Sequence, residues 1–108
     1  MHVTVADLKP EIGDSVTFSC DYEPLSTHSS GAPNIRWTRR PQGSVRDLPL
    51  RGDAKFVLSA HNTRLTVNNV VSSDAGSYTC TVRYPIGSGF STGHLVINGP
   101  PSAVSDRA

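Results

Sequence analysis

The sequence is poor in charge, in aromatic residues and in long apolar runs. Of its 108 residues only 6% are aromatic and 18% charged, and the formal net charge is +1. A net charge this close to zero does not by itself indicate binding to nucleic acid or to an anionic membrane. No apolar stretch is long enough to cross a membrane as a helix. Met1 is not followed by the apolar run of a signal peptide, and we expect it to begin a fragment of a longer protein.

Cysteine is equally scarce, since Cys20 and Cys80 are the only two. A structural zinc site needs four ligands at short spacings, which two distant cysteines cannot supply. The histidines lie in separate predicted elements, namely His2, His28, His61 and His94. Neither a nucleophile elbow nor a glycine-rich phosphate loop occurs. We therefore predict no catalytic residues, no metal site and no cofactor.

One motif organises the chain. Residues 74–80 read Asp-Ala-Gly-Ser-Tyr-Thr-Cys, and the only tryptophan, Trp37, lies between Cys20 and Cys80. A Cys-Trp-Cys order with a tyrosine (Tyr78) two residues before the second cysteine is the hallmark of an immunoglobulin sandwich. The chain therefore resembles a domain of the immunoglobulin superfamily, nearest the intermediate or variable sets.

The resemblance implies an all-β fold, an immunoglobulin-like sandwich of two antiparallel Greek-key sheets joined by one disulfide. It implies that Cys20 and Cys80 form that bridge, that Trp37 packs against it and that the Tyr78 hydroxyl bonds to backbone. A disulfide in turn points to an oxidising compartment outside the cell. We expect residues 1–99 to form the domain and residues 100–108 a linker toward a following domain.

Alternating apolar residues and turn signals predict the strands. They fall at residues 2–8, 15–22, 34–40, 44–50, 55–59, 63–68, 77–84 and 93–98. Two loops stand out between them. Residues 23–33 form a long polar loop at the recognition end of variable-type domains, and residues 85–90 form a glycine-rich loop before the last strand.

The acidic residue of the motif, Asp74, needs a basic partner near the core, because an unpaired buried charge is costly. Arg39 shares the inward parity of Trp37, and the resemblance also suggests it as the partner. Lys55 and Arg51 are the other two contenders.

A binding surface is predicted on the sheet that contains Trp37. Arg36 and Arg40 should point outward from it, and Tyr84, Ile86 and Phe90 flank glycines in loop 85–90. Arginine and aromatic side chains make good interface hot spots. The alternatives are that the arginines form an ordinary solvated face and that one or two of the apolar side chains fold back onto the sheet.

Arg51, Gly52 and Asp53 spell the tripeptide that integrins read in adhesion ligands. The match is short enough to arise by chance in a chain of this composition. An ordinary turn is the competing interpretation.

The sequence thus predicts an extracellular protein-recognition module from a cell-surface receptor or adhesion molecule, of which receptor tyrosine kinases are one class. The alternatives are a structural spacer in a tandem ectodomain and a soluble immune-type binding domain. The expected partner is a protein ligand or a second copy of the chain, with no nucleic acid and no direct membrane contact. The parent would be a single-pass membrane protein or a secreted one.

Overall fold

The computed structural model describes residues 2–23, 33–85 and 87–97. Most of the predicted loop 23–33, Ile86 and the predicted linker 100–108 therefore lie outside the described residues. Within them the strands are β1 Val3–Thr4, β2 Val16–Ser19, β3 Asp21–Tyr22, β4 Asn34–Pro41, β5 Leu48–Leu50, β6 Phe56–Leu58, β7 Arg64–Val67, β8 Gly76–Tyr84 and β9 Gly87–Leu95. Two short 3-10 turns, Ala60–Asn62 and Ser72–Asp74, connect strands.

The strands form two facing antiparallel layers. One is the four-stranded sheet β5-β4-β8-β9, and the other is β2-β7-β6, with β1 paired to β3 beside it. The all-β sandwich predicted from the sequence is confirmed. Its two layers differ in size, because β4, β8 and β9 have eight or nine residues each and the strands of the other layer four or fewer.

The first segment divides between the two layers, which the predicted single strand 2–8 did not anticipate. Val3 pairs with Tyr22 in one layer. Farther along, the Leu8 N–H donates to the His94 carbonyl at 2.9 Å, and the Val96 N–H donates to the Leu8 carbonyl at 2.9 Å. The Leu8–Leu95 bridge is parallel. This segment thus closes one side of the sandwich.

The core lies between the layers around the predicted disulfide. Cys20 and Cys80 are bonded, with their Cα atoms 6.1 Å apart, so the predicted bridge is confirmed. Trp37 is opposite Cys80 in the β4–β8 register, so both side chains enter the core on the same face. Phe18 stacks on Tyr78 with ring centroids 4.9 Å apart. A bridge closing a loop of this length stabilises the fold by roughly 4 kcal/mol in the chain-entropy model.

The predicted loop 85–90 is wrong. Tyr84 pairs with Gly87, so β9 begins at Gly87 rather than at residue 93, and only Pro85 and Ile86 separate the strands. Glycine is depleted in strands, and this led to the loop prediction. Here Gly89 instead pairs with Val82 in the long β8–β9 ladder.

Candidate protein-binding face

The solvent side of the sheet β5-β4-β8-β9, here called the outer face, carries side chains in regular rows. The strand register places Arg36 beside Thr81 and Thr81 beside Phe90. A second row joins Arg40, Ser77 and His94. Cross-strand neighbours in such rows lie about 5 Å apart, so each row is a continuous strip of side chains.

Phe90 is the most prominent apolar side chain of the outer face. It is 71% exposed, although it sits in the middle of a strand. Alternation along β9 explains its position, because the flanking residues Gly89 and Ser91 face the other side of the sheet. The ring borders a shallow depression of about 460 Å³, which is otherwise lined by Thr38, Arg40, Asp47, Ser77, Thr79, Thr81 and Thr92.

Arg36 and Arg40 are both exposed on this face, as predicted from their parity. The Arg40 Nε donates to Asp47 Oδ1 at 2.9 Å, and both side chains of this pair are at least half exposed. Arg36 forms no ion pair with any residue that the structure describes. Arg36 therefore contributes an uncompensated positive charge to the outer face, whereas Arg40 is partly neutralised.

Tyr84 is not part of this surface, which corrects its prediction as an exposed anchor. Its side chain is buried, and its ring meets Tyr22 edge-on with centroids 6.5 Å apart. Tyr84 shares the parity of Cys80 and Val82, so alternation along β8 already placed it inward. Ile86, the third predicted anchor, lies outside the described residues.

The Asp74 carboxylate is held by two cations at the corner before β8. Lys55 Nζ is 2.7 Å from Oδ2, and Arg39 Nη1 is 3.8 Å from Oδ1, whereas Arg51 does not pair with it. The Val71 N–H also donates to Oδ2 at 2.9 Å. The Tyr78 hydroxyl donates to the Asp74 carbonyl at 2.6 Å. This cluster fixes the corner and is a structural site.

Burial raises the pKa of the Tyr78 hydroxyl above its ordinary value, and its neighbour Arg39 opposes that shift. The Arg39 guanidinium also lies over the Phe56 ring, 5.0 Å from its centroid. Arg39 thus contacts the Asp74 carboxylate, the Tyr78 hydroxyl and the Phe56 ring. These contacts let a charged side chain lie between the two layers without being unpaired.

Arg51, Gly52 and Asp53 are exposed between β5 and β6, where the sequence placed a loop. Asp53 Oδ1 accepts the backbone N–H groups of Lys55 at 2.9 Å and Phe56 at 2.8 Å. Gly52 has a φ of +88°, which favours glycine. Gly52 and Asp53 thus have roles in an ordinary turn, and the use of the Asp53 carboxylate within the turn favours that interpretation over integrin recognition.

Among residues 2–23, 33–85 and 87–97, no three or more His, Cys, Asp or Glu side chains cluster in a way that could hold a metal ion. No helix in that part of the chain has the length and apolar character needed to cross a membrane.

A family model described as the immunoglobulin domain matches residues 2–83. The tyrosine-protein kinase-like protein otk of Drosophila mojavensis is 26% identical over 111 residues, which cover 85% of this chain and 10% of that protein. This chain therefore spans about a tenth of that relative's length. Titin of Drosophila melanogaster is 30% identical over 99 residues, which cover 89% of this chain and a share of titin that rounds to 0%. Among solved structures, the N-terminal four immunoglobulin domains of Dscam1 isoform 9.44 match with a TM-score of 0.71 at 18% identity, over 88% of this chain and 22% of that one.

Proposed function

This chain belongs to the immunoglobulin domain family, and we propose that it is a protein-recognition module that binds its partner through the outer face. The fold alone does not assign this role, because immunoglobulin sandwiches carry many unrelated functions. The proposal therefore depends on the side chains of the outer face. We further propose that the chain has no catalytic activity.

The observation that carries the proposal is the exposure of Phe90 within a row that also holds Arg36. A phenylalanine that is 71% exposed in the middle of a strand does not stabilise the isolated fold by burial. Aromatic residues and arginine are enriched at protein interfaces and among their hot spots. The threonines beside Phe90 line a shallow depression that a partner side chain can enter.

The charges of the outer face favour an acidic partner surface. Arg36 and Arg83 are exposed and form no ion pair with any described residue, whereas Asp47 offsets only Arg40. Opposite charges across an interface speed association and exclude like-charged partners. A protein surface that offers an apolar contact to Phe90 and carboxylates to the arginines would match this arrangement.

We propose an extracellular location and a cell-surface parent protein of the receptor or adhesion class. The Cys20–Cys80 bridge supports this, because disulfides persist mainly in oxidising compartments. Similarity to tyrosine-protein kinase-like otk supports a receptor-type parent.

The second candidate function is a structural spacer that only sets the distance between neighbouring domains. The similarity to titin, at 30% identity, favours this alternative. The two candidates differ in what they require of the outer face. A recognition module needs Phe90 and the arginines for binding, whereas a spacer tolerates their removal.

The test compares fluorescent tetramers of the chain on a panel of cultured animal cells. In the test variant Arg36, Arg40 and Phe90 are replaced by alanine. The matched control replaces Arg64 and Val57, which are exposed on the outward side of the other layer. Each hot-spot alanine is expected to weaken binding by about 1 kcal/mol or more, so the triple variant should lose detectable binding.

Three outcomes separate the candidates. Loss of cell binding in the triple variant but not in the control would support the outer face as the site. Equal binding by both folded variants would place the site elsewhere. Failure of the unmodified tetramer to bind any cell, together with no self-association, would favour the spacer.

A further inference from the structure

Part of the outer edge of β9 is unpaired among the residues that the structure describes. The Leu8 contacts show that the His94 C=O and the Val96 N–H point away from β8. The His94 N–H does so as well, because it donates to Asp7 Oδ1 at 2.9 Å. Because these groups alternate sides along a strand, Ser88 and Phe90 must also direct theirs outward. Neither residue's backbone bonds to another described segment.

This edge lacks the protection that the β5 and β6 edges have. Natural edge strands are usually short, or carry charge or proline. The β5 edge has three residues with Pro49 at its centre, and β6 has three residues. By contrast, residues 88–91 of β9 read Ser-Gly-Phe-Ser, with neither charge nor proline.

The open part of the edge has defined ends. A Cβ on Gly93 would lie 2.6 Å from the Ala6 carbonyl oxygen, so the first segment covers the edge from there onward. At the other end the strand begins at Gly87, after the turn. The Val5 N–H donates to Ser91 Oγ at 3.1 Å, so the first segment already reaches that residue. The accessible stretch is therefore Gly87 to Phe90, long enough for one short strand pairing.

We propose that β9 pairs edge to edge with β9 of a second copy of this chain, in antiparallel orientation about a two-fold axis at Gly89. Ser88 of each copy then faces Phe90 of the other, and these two pairs exchange four backbone hydrogen bonds. Gly89 of one copy lies opposite Gly89 of the other at a non-hydrogen-bonded position, where the Cα atoms of a pair approach most closely. Because glycine has no side chain, the two strands can approach there without a clash. The pairing joins two four-stranded sheets into one of eight strands.

The side chains of the outer face are compatible with a second copy as the partner. The two Phe90 rings lie diagonal to each other, within reach of aromatic side chains, so each covers exposed apolar surface of the other. Arg36 lies two strands inward, which puts the two copies of Arg36 five strand spacings, or about 24 Å, apart. Arg83 lies one strand inward, which puts its two copies three strand spacings, or about 14 Å, apart. Both separations exceed the Debye length of about 8 Å at physiological salt, so the like charges are screened.

The small area of such a contact sets its strength. Four residues from each copy bury far less than the roughly 1,200 Å² of a standard interface, so a weak dimer is expected. Weak pairing becomes effective when many copies are presented together. The inference rests on the proposed recognition role of the same sheet and names the partner at the β9 edge as a second copy. Arg36 and Arg83 stay exposed on the joined face, where the acidic surface of a further protein can meet them.

The test uses sedimentation velocity of the chain at concentrations up to about 1 mM, where weak complexes of this size class become visible. Ser88→Pro removes an outward N–H that the β8–β9 ladder does not use, and proline is tolerated on edge strands. Ser88→Ala is the matched control, because it keeps that N–H. We expect the unmodified chain and Ser88→Ala to dimerise and Ser88→Pro to weaken dimerisation at least tenfold.

Hydrogen exchange gives a second measurement if Ser88→Pro fails to fold. The amides of Ser88 and Phe90 in the unmodified chain should gain protection as concentration rises, and those of Arg64 and Thr66 on the other layer should not. A monomer at all concentrations, a dimer unaffected by Ser88→Pro, or no concentration-dependent protection would each overturn the inference. Cell binding that requires Phe90 but survives Ser88→Pro would retain the proposed function and reject only the edge pairing.

Discussion

Asp74→Ala is the substitution that most directly tests how the corner before β8 is stabilised. The Asp74 carboxylate is only 5% exposed and lies 2.7 Å from Lys55 Nζ and 3.8 Å from Arg39 Nη1. It also accepts the Val71 N–H. Alanine removes the single anion that faces both cations and leaves one backbone donor without its partner.

The magnitude follows from how exposed each partner is. Removing one member of a buried ion pair costs about 3–5 kcal/mol, because the remaining charge is left unpaired. Here the Lys55 side chain is 32% exposed and can regain water, and Arg39 keeps its contact with the Phe56 ring. We therefore expect Asp74→Ala to lower the free energy of unfolding by about 2–4 kcal/mol, out of a total of about 5–15 kcal/mol.

The assay is urea denaturation followed by the fluorescence of Trp37, the only tryptophan. Asp47→Ala is the matched control, because Asp47 makes an ion pair of similar length with Arg40 at the surface, at 2.9 Å and with both side chains at least half exposed. That control substitution should lower the free energy of unfolding by less than about 1 kcal/mol. If Asp74→Ala lowers the free energy of unfolding no more than Asp47→Ala does, burial does not determine how strongly Asp74 stabilises the corner before β8, and the reasoning is refuted.

Two further predictions concern glycine and pH. Gly76→Ala should destabilise the fold by more than about 2 kcal/mol, because φ is +148° and the added Cβ would lie 2.2 Å from the Arg40 carbonyl oxygen. Gly43→Ala, at φ +84° with open space around it, should cost only about 1–2 kcal/mol, and equal losses in thermal unfolding would contradict this. Burial raises the pKa of Tyr78 above 10.0, so its neutral hydroxyl contributes stability below that pH and loses it as pH rises further. Tyr78→Phe should therefore be less stable near neutral pH and should decline less between pH 10 and pH 11 than the unmodified chain; parallel declines in chemical denaturation would disprove the assignment.

Alternation along the strands made much of the fold predictable. In β4, Ile35 and Trp37 enter the core and Arg36 points to solvent, as a period of two requires. The same rule placed Arg39 inward, where it meets Asp74. Such predictions succeed because one face of the sheet must be buried, and a shift of one residue would expose every core side chain.

The errors arose where tertiary pairing overrides local preference. Gly87 and Gly89 favour a loop on their own, yet they belong to β9 because β8 offers a long ladder to pair with. The crossing between Val3 and Leu8 depends on where the other layer ends, which is not encoded within that segment. The prediction for Tyr84 was wrong for a different reason: its parity with Cys80 already implies an inward side chain, whereas its aromatic character beside the glycines suggested an exposed one.

The same alternation explains why the candidate site was harder to predict than the fold. On β8, Tyr78 and Cys80 face the core, while Thr79 and Thr81 face solvent between them. Substituting an inward residue changes packing and hence stability, whereas substituting an outward one leaves the core intact. The motif that identifies the fold is thus read mainly from inward positions. The proposed recognition role depends on the outward positions, and these could be grouped only once the strand register placed Arg36 in the same row as Phe90.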